Sequence, residues 1–69
     1  MQLSARNVLQ GRVTQVTHGA VESEIVLQLS DGVEIVSTIT KASAERMKLE
    51  PGVLAHAIIK ASSVIIGVD

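Results

Sequence analysis

From Ala20 to Ser30 the odd positions Val21, Ile25, Leu27 and Leu29 are apolar while Glu22, Glu24 and Gln28 are polar, the period of two that a strand shows when one face lies on a core. Asp31-Gly32 follows, a dipeptide suited to the positive φ of a tight hairpin turn. Val33, Ile35 and Ile39 then resume the alternation against Glu34, Thr38 and Thr40, so residues 20–40 read as one β-hairpin. Upstream, between Asn7 and Thr17, Val8, Val13 and Val16 interleave with Gln10, Arg12, Thr14 and Gln15, and the phase changes around Gly11, where a bulge or sharp bend is easiest. This predicts a long, bent first strand. Between Thr40 and Leu49 the β-branched residues vanish and Ala42, Ala44, Glu45, Arg46, Met47 and Lys48 favour a short helix, with Thr40 as N-cap. Glu50-Pro51-Gly52 ends it. Val53 to Lys60 forms a fourth strand and, after the Ala61-Ser62-Ser63 link, Val64 to Val68 a fifth. Three strands in a meander, a helix and two more strands give a mostly β fold, a five-stranded OB-like Greek-key barrel with one short helix between strands 3 and 4.

Composition sharpens this picture. Seventeen of the 69 residues are Val or Ile and none is aromatic, which suits a barrel small enough to be filled by compact side chains. Residues 1–69 make one small domain, and a chain this short buries only about 60% of the surface its unfolded form exposes. There is no cysteine, so neither a disulfide framework nor a thiolate metal site can staple the fold. Oligomerisation is the staple that remains. Six Lys/Arg against seven Asp/Glu, a net charge of −1, make no broad positive surface for nucleic acid, and no ring is present on which bases could stack. Met1-Gln2-Leu3-Ser4 begins no signal segment, and no apolar run approaches the roughly 20 residues that span a bilayer. The expectation is a cytoplasmic chain with no nucleic-acid or membrane partner.

Catalysis is not expected. The only imidazoles are His18, in a turn, and His56, which shares a strand face with Leu54 and Ile58 and reads as a barrel-wall or interface histidine rather than a base. The acidic residues Glu22, Glu24, Asp31, Glu34, Glu45 and Glu50 are scattered, and none pairs with a histidine at metal-ligand spacing. What the chain offers instead is small donors beside isolated cations: Ser4-Ala5-Arg6-Asn7, Thr40-Lys41-Ala42-Ser43 and Lys60-Ala61-Ser62-Ser63. An oxyanion without protons can only accept hydrogen bonds, and Arg, Lys, Ser, Thr and backbone N–H groups all donate. Free amides at the helix start add to the set. Each segment alone is commonplace and is more often a solvated loop than an anion site.

Taken together with the Gly19-Ala20-Val21 turn, Leu49-x-Pro51-Gly52 and Ile58-Ile59-Lys60-Ala61-Ser62-x-Val64-Ile65, these segments resemble the molbindin (Mop) family over nearly the whole chain. That resemblance implies a TOBE-type, OB-like domain that binds molybdate, with tungstate as a possible second ligand, for intracellular storage or homeostasis. It also implies a hexamer, a trimer of dimers with oxyanions held between subunits, and no metal cation. By position, the family's anion contacts fall on Ser4, Arg6, Thr40, Ser43, Lys60, Ala61 and Ser62. A second oxyanion site maps around His18, Gly19, Ala20 and Val21. The chain departs from the family at Glu22, where a small polar amide is common, a difference that bears on the second site more than on the first.

Topology bears on how such a site is built. In the meander, strand four runs antiparallel to strand one and ends near its beginning, which groups Arg6 with Lys60, while Thr40 and Ser43 lie at the far end. One anion touched by all three segments would need a neighbouring copy. A micromolar dissociation constant corresponds to about −8 kcal/mol, against roughly 1.5 to 3 for one hydrogen bond to a charged group, so two cations alone do not suffice, whereas five or more donors on rigid strand ends, with Arg6 and Lys60 supplying charge, can offset the dianion's dehydration. The alternative function is a regulatory or assembly subunit whose oxyanion site controls association with a transporter or regulator.

Overall fold

The computed structural model describes all of residues 1–69. Four strands, β1 (Asn7–His18), β2 (Glu22–Gln28), β3 (Glu34–Thr40) and β4 (Leu54–Ile59), form one curled antiparallel sheet of order β3-β2-β1-β4, with a six-residue helix α1 (Lys41–Arg46) between β3 and β4. The mostly β, OB-like architecture follows the alternation in the sequence. Ser23, Ile25 and Leu27 point inward from β2 and are buried, while Glu22, Glu24 and Gln28 face out. The core is Val13, Ile25, Leu27 and Ala44, with Val16, Ile39 and Leu49 among the residues packed on it.

Strand β1 changes partners along its length. Asn7 to Arg12 pair with β4, and Arg12 to His18 pair with β2. The register slips between Val13 and Gln15, so the bulge lies at Thr14 rather than at the expected Gly11. Gly11 answers a different need: a Cβ there would sit 2.6 Å from the Gln28 carbonyl oxygen. The hairpin loop also differs from a two-residue turn. Leu29 N–H donates to the Val33 carbonyl and Gly32 N–H to that of Leu29, only Gly32 (φ 88°) is left-handed, and the Asp31 carboxylate accepts from Val33 N–H. This is a type I turn closed by a glycine, the commonest longer hairpin connection.

The helix stops at Arg46 and not near Leu49 because a Schellman cap ends it. Lys48 N–H donates to the Glu45 carbonyl and Leu49 N–H to that of Ala44, with Lys48 at φ 55°, the position that glycine usually holds. Relief of that left-handed lysine by Lys48→Gly is expected to stabilise the fold by about 0.5–1 kcal/mol, read as a rise in the urea midpoint at unchanged slope. The Glu50-Pro51-Gly52 turn then reverses the chain, with Val53 N–H donating to the Glu50 carbonyl and Gly52 at φ 101°, as a type II turn requires.

The expected fifth strand is not formed. Ala61–Ser63 makes a single 3-10 turn, and Val64 to Asp69 runs on without pairing, with Ile65 93% and Val68 94% exposed. Val64 keeps extended dihedrals (φ −90°, ψ 125°), so the segment is strand-like but lacks a partner within its own chain. Without it the barrel stays open between β3 and β4, leaving an apolar cleft of about 700 Å³ lined by Ile25, Leu27, Ile35, Ile39 and Ile59. Only 7 of 69 residues are buried, and the accessible surface is 5412 Å². A monomer of 7.3 kDa exposes about 4,200 Å² on the usual scaling, so this chain carries roughly 1,200 Å² in excess. No helix is long and apolar enough to cross a membrane.

Candidate functional site

The antiparallel pairing of β1 with β4 sets Asn7 opposite Ile59. Beyond that pair the chains diverge, Ser4-Ala5-Arg6 on one side and Lys60-Ala61-Ser62 on the other, and these six residues line one open cavity of about 410 Å³. Two cations therefore meet here with two serine hydroxyls. The 3-10 turn adds backbone donors: Ser63 N–H is spent on the Lys60 carbonyl and Val64 N–H on that of Ala61, which leaves the amides of Ala61 and Ser62 unpaired as the first of a helical turn. Neither the Arg6 guanidinium nor the Lys60 ammonium takes part in any side-chain hydrogen bond within the chain. No carboxylate lines the cavity, so every side chain around it with a polar end carries a donor.

Thr40 and Ser43 stand at the other end of the sheet, since Thr40 pairs with Glu22 and His18 with Ser23. Strand β1 spans 12 residues, roughly 40 Å if straight at about 3.3 Å each, and the molecule is 35 Å long, so the two ends lie well beyond the reach of a single anion. At this far end Thr40 is committed to capping: its hydroxyl accepts from Ser43 N–H at 3.1 Å and donates to Ser43 Oγ at 2.8 Å. The Ser43 hydroxyl proton is the one left to give.

The His18 to Val21 turn lies against the same helix start, because Lys41 N–H donates to the Val21 carbonyl and Gly19 N–H to that of Glu22. His18 Nδ1 is 2.6 Å from Ser23 Oγ, and Ser23 is 1% exposed. Sequence reading missed this pair; the signal for it was a lone polar residue on the inward, otherwise apolar phase of β2. Ala5, which the family resemblance does not place among the anion contacts, also lines the cavity. His56 lies on the exposed face of β4 with Leu54 and Ile58, 3.5 Å from the Gln10 amide nitrogen. No group of three or more His, Asp or Glu side chains is placed to hold a metal ion.

Comparison with known proteins extends this description. Residues 3–66 match the TOBE domain model. The chain is 39% identical over 69 residues, the full length of both proteins, to a probable molybdenum-pterin-binding protein of Haemophilus influenzae. It is 48% identical over 66 residues to the molybdenum-pterin-binding protein MopA of Rhodobacter capsulatus, covering 96% of this chain but only a quarter of MopA. Among solved structures it superposes with a TM-score of 0.97 and 48% identity on the cytoplasmic molybdate-binding protein ModG with molybdate bound, covering 100% of this chain and 49% of that one.

Proposed function

The chain belongs to the TOBE domain family, in its molbindin (Mop) branch, and from that membership we propose that it binds molybdate, without catalysis, for intracellular storage or homeostasis in the cytoplasm. The observation that carries this is the carboxylate-free cavity where Arg6 and Lys60 meet Ser4, Ser62 and the free amides of Ala61 and Ser62. Molybdate is a tetrahedral dianion that at neutral pH only accepts hydrogen bonds. The cavity is a match in polarity: two full positive charges balance the ligand's charge, and charge-assisted donors are about twice as strong as neutral ones. Tungstate has the same charge and shape and competes for the same place. The binding set is Ser4, Arg6, Lys60, Ala61 and Ser62 from one copy, with Ser43 and the Thr40 end of α1 from another.

Two observations support the shared site. Four oxygens need roughly 40–60 Å³ at the 10–15 Å³ that one water requires, whereas the cavity measures about 410 Å³ and is open, so one chain walls the anion on one side only. The excess exposed surface, the open cleft and the apolar tail are the features of a subunit whose partner surfaces are uncovered. The assembly proposed is a homo-oligomer, a hexamer built as a trimer of dimers, with the second anion place at the His18 to Val21 turn on its symmetry axes.

Native mass spectrometry with and without molybdate tests both halves of this proposal, since it reports copy number and bound anions together. A monomer, or an oligomer that takes up no anion, overturns it. Molybdate at about 100 times its dissociation constant adds about 2.7 kcal/mol to the stability of the species that binds it, worth about 10 °C or more in Tm for a domain this small. Superimposable melting curves with and without saturating ligand would refute binding to the folded assembly. Because the chain spans only a quarter of MopA, domains of this size also operate inside larger proteins. A stable hetero-complex, recovered with one weak anion site, would favour the regulatory-subunit alternative.

A further inference from the structure

Asn7 lies at the fork from which the two arms of the cavity diverge. It is the first residue of β1 and pairs with Ile59, the last of β4. Its Nδ2 donates to the Ile59 carbonyl at 3.2 Å across 52 residues of sequence. Arg6 and Lys60, the next residues outward, line the cavity, while Asn7 and Ile59 do not. No strand pairing joins the arms beyond this point. This side-chain hydrogen bond is thus the last cross-link beneath the two cations.

We propose that Asn7 is a positioning residue for the oxyanion cavity, holding the Arg6 and Lys60 arms at the separation that lets both engage one anion. This rests on the oxyanion reading of that cavity. Two like charges on adjacent arms repel one another when no anion lies between them, and although the Lys60 arm closes its own 3-10 turn, no backbone pairing ties it to the Arg6 arm. A donor-to-carbonyl bond at the base of the fork limits that spread before the ligand arrives, which lowers the ordering cost of binding. The side-chain chemistry is specific to the task. An amide is neutral and donates; an aspartate cannot donate to a carbonyl and brings a negative charge beside an anion site; a leucine keeps the size and loses the donor.

The test is a double-mutant cycle read by calorimetric titration with sodium molybdate: wild type, Asn7→Leu, Arg6→Ala and the double variant. Asn7→Leu is expected to weaken binding by about tenfold in the wild-type background and by about twofold or less once Arg6 is gone, because an arm that no longer carries its cation gains nothing from being placed. A clamp that merely secures the strand end would lower Tm while changing affinity equally in both backgrounds, and that result overturns the proposal, as does unchanged affinity in Asn7→Leu. Should the leucine variant fail to fold, Asn7→Ala removes the amide without added apolar bulk and is judged by the same criteria. Failure of the underlying reading looks different: wild type and Arg6→Ala would then bind molybdate equally or not at all, and the proposal falls with it.

Discussion

Replacing Arg6 or Lys60 with alanine is expected to weaken molybdate binding by about 1.5–3 kcal/mol each, roughly ten- to hundredfold, with the fold intact. Both side chains are exposed and hold nothing else in the chain in place, so their removal takes away ligand contacts and little packing. The two losses should not add, because in the proposed site both cations face the same dianion and the first removal already loosens it. Arg6→Lys separates charge from shape: it keeps the positive charge but gives up the planar fork that can grip two oxygens at once. Intermediate affinity in that variant, measured by titration calorimetry at fixed ionic strength, marks a bidentate contact. Affinity equal to wild type marks Arg6 as a charge alone. If both alanine variants retain wild-type affinity, the cavity between the arms is not where the anion binds.

How far the chain can be read without coordinates depends on whether a residue's role is local. The 20–40 hairpin is legible because period-two alternation and Asp31-Gly32 are properties of consecutive residues, and β2 and β3 form within it. The grouping of Arg6 with Lys60 is legible too, since antiparallel pairing of β1 with β4 follows from strand order. The tail is the opposite case. Val64, Ile65, Ile66 and Val68 are β-branched and read as a strand, but strand propensity expresses how well a side chain fits a neighbouring pleat, and this chain supplies no neighbour. Lys48 in a left-handed cap follows no residue preference; the Schellman bonds impose it. The Asn7–Ile59 and His18–Ser23 hydrogen bonds depend on register, and an asparagine or histidine at a strand end looks in sequence like any turn residue. At Gly11 the change of phase points to a bulge or bend, whereas its structural role is to occupy no space.

That role predicts the largest effect on stability. Gly11→Ala is expected to destabilise the protein by about 3 kcal/mol, at the upper end of overpacking costs, because the added Cβ would lie 2.6 Å from the Gln28 carbonyl oxygen and 2.9 Å from Leu27 Cγ. Leu27 can shift its side chain, but Gln28 meets the alanine with backbone that the β1–β2 pairing holds at Arg12↔Gln28. A domain of 69 residues has only about 3–10 kcal/mol of total stability, so this single methyl group removes a third of it or more. The position is sensitive because β1 passes from β4 to β2 at Arg12, and both partner strands must approach the same stretch of backbone. That change of partner gives the molecule its two ends, one with the Arg6 and Lys60 arms and the other with the Thr40 and Ser43 helix start. Gly11→Ala should therefore lower the urea midpoint and, at concentrations where the folded form is depleted, reduce the apparent molybdate affinity in proportion to the folded fraction. Affinity lost while the folded fraction is unchanged would show that the crossing tunes the site directly. An unchanged urea midpoint would show that β1 and β2 can part at Gly11 without cost, and that the close approach there does not require glycine.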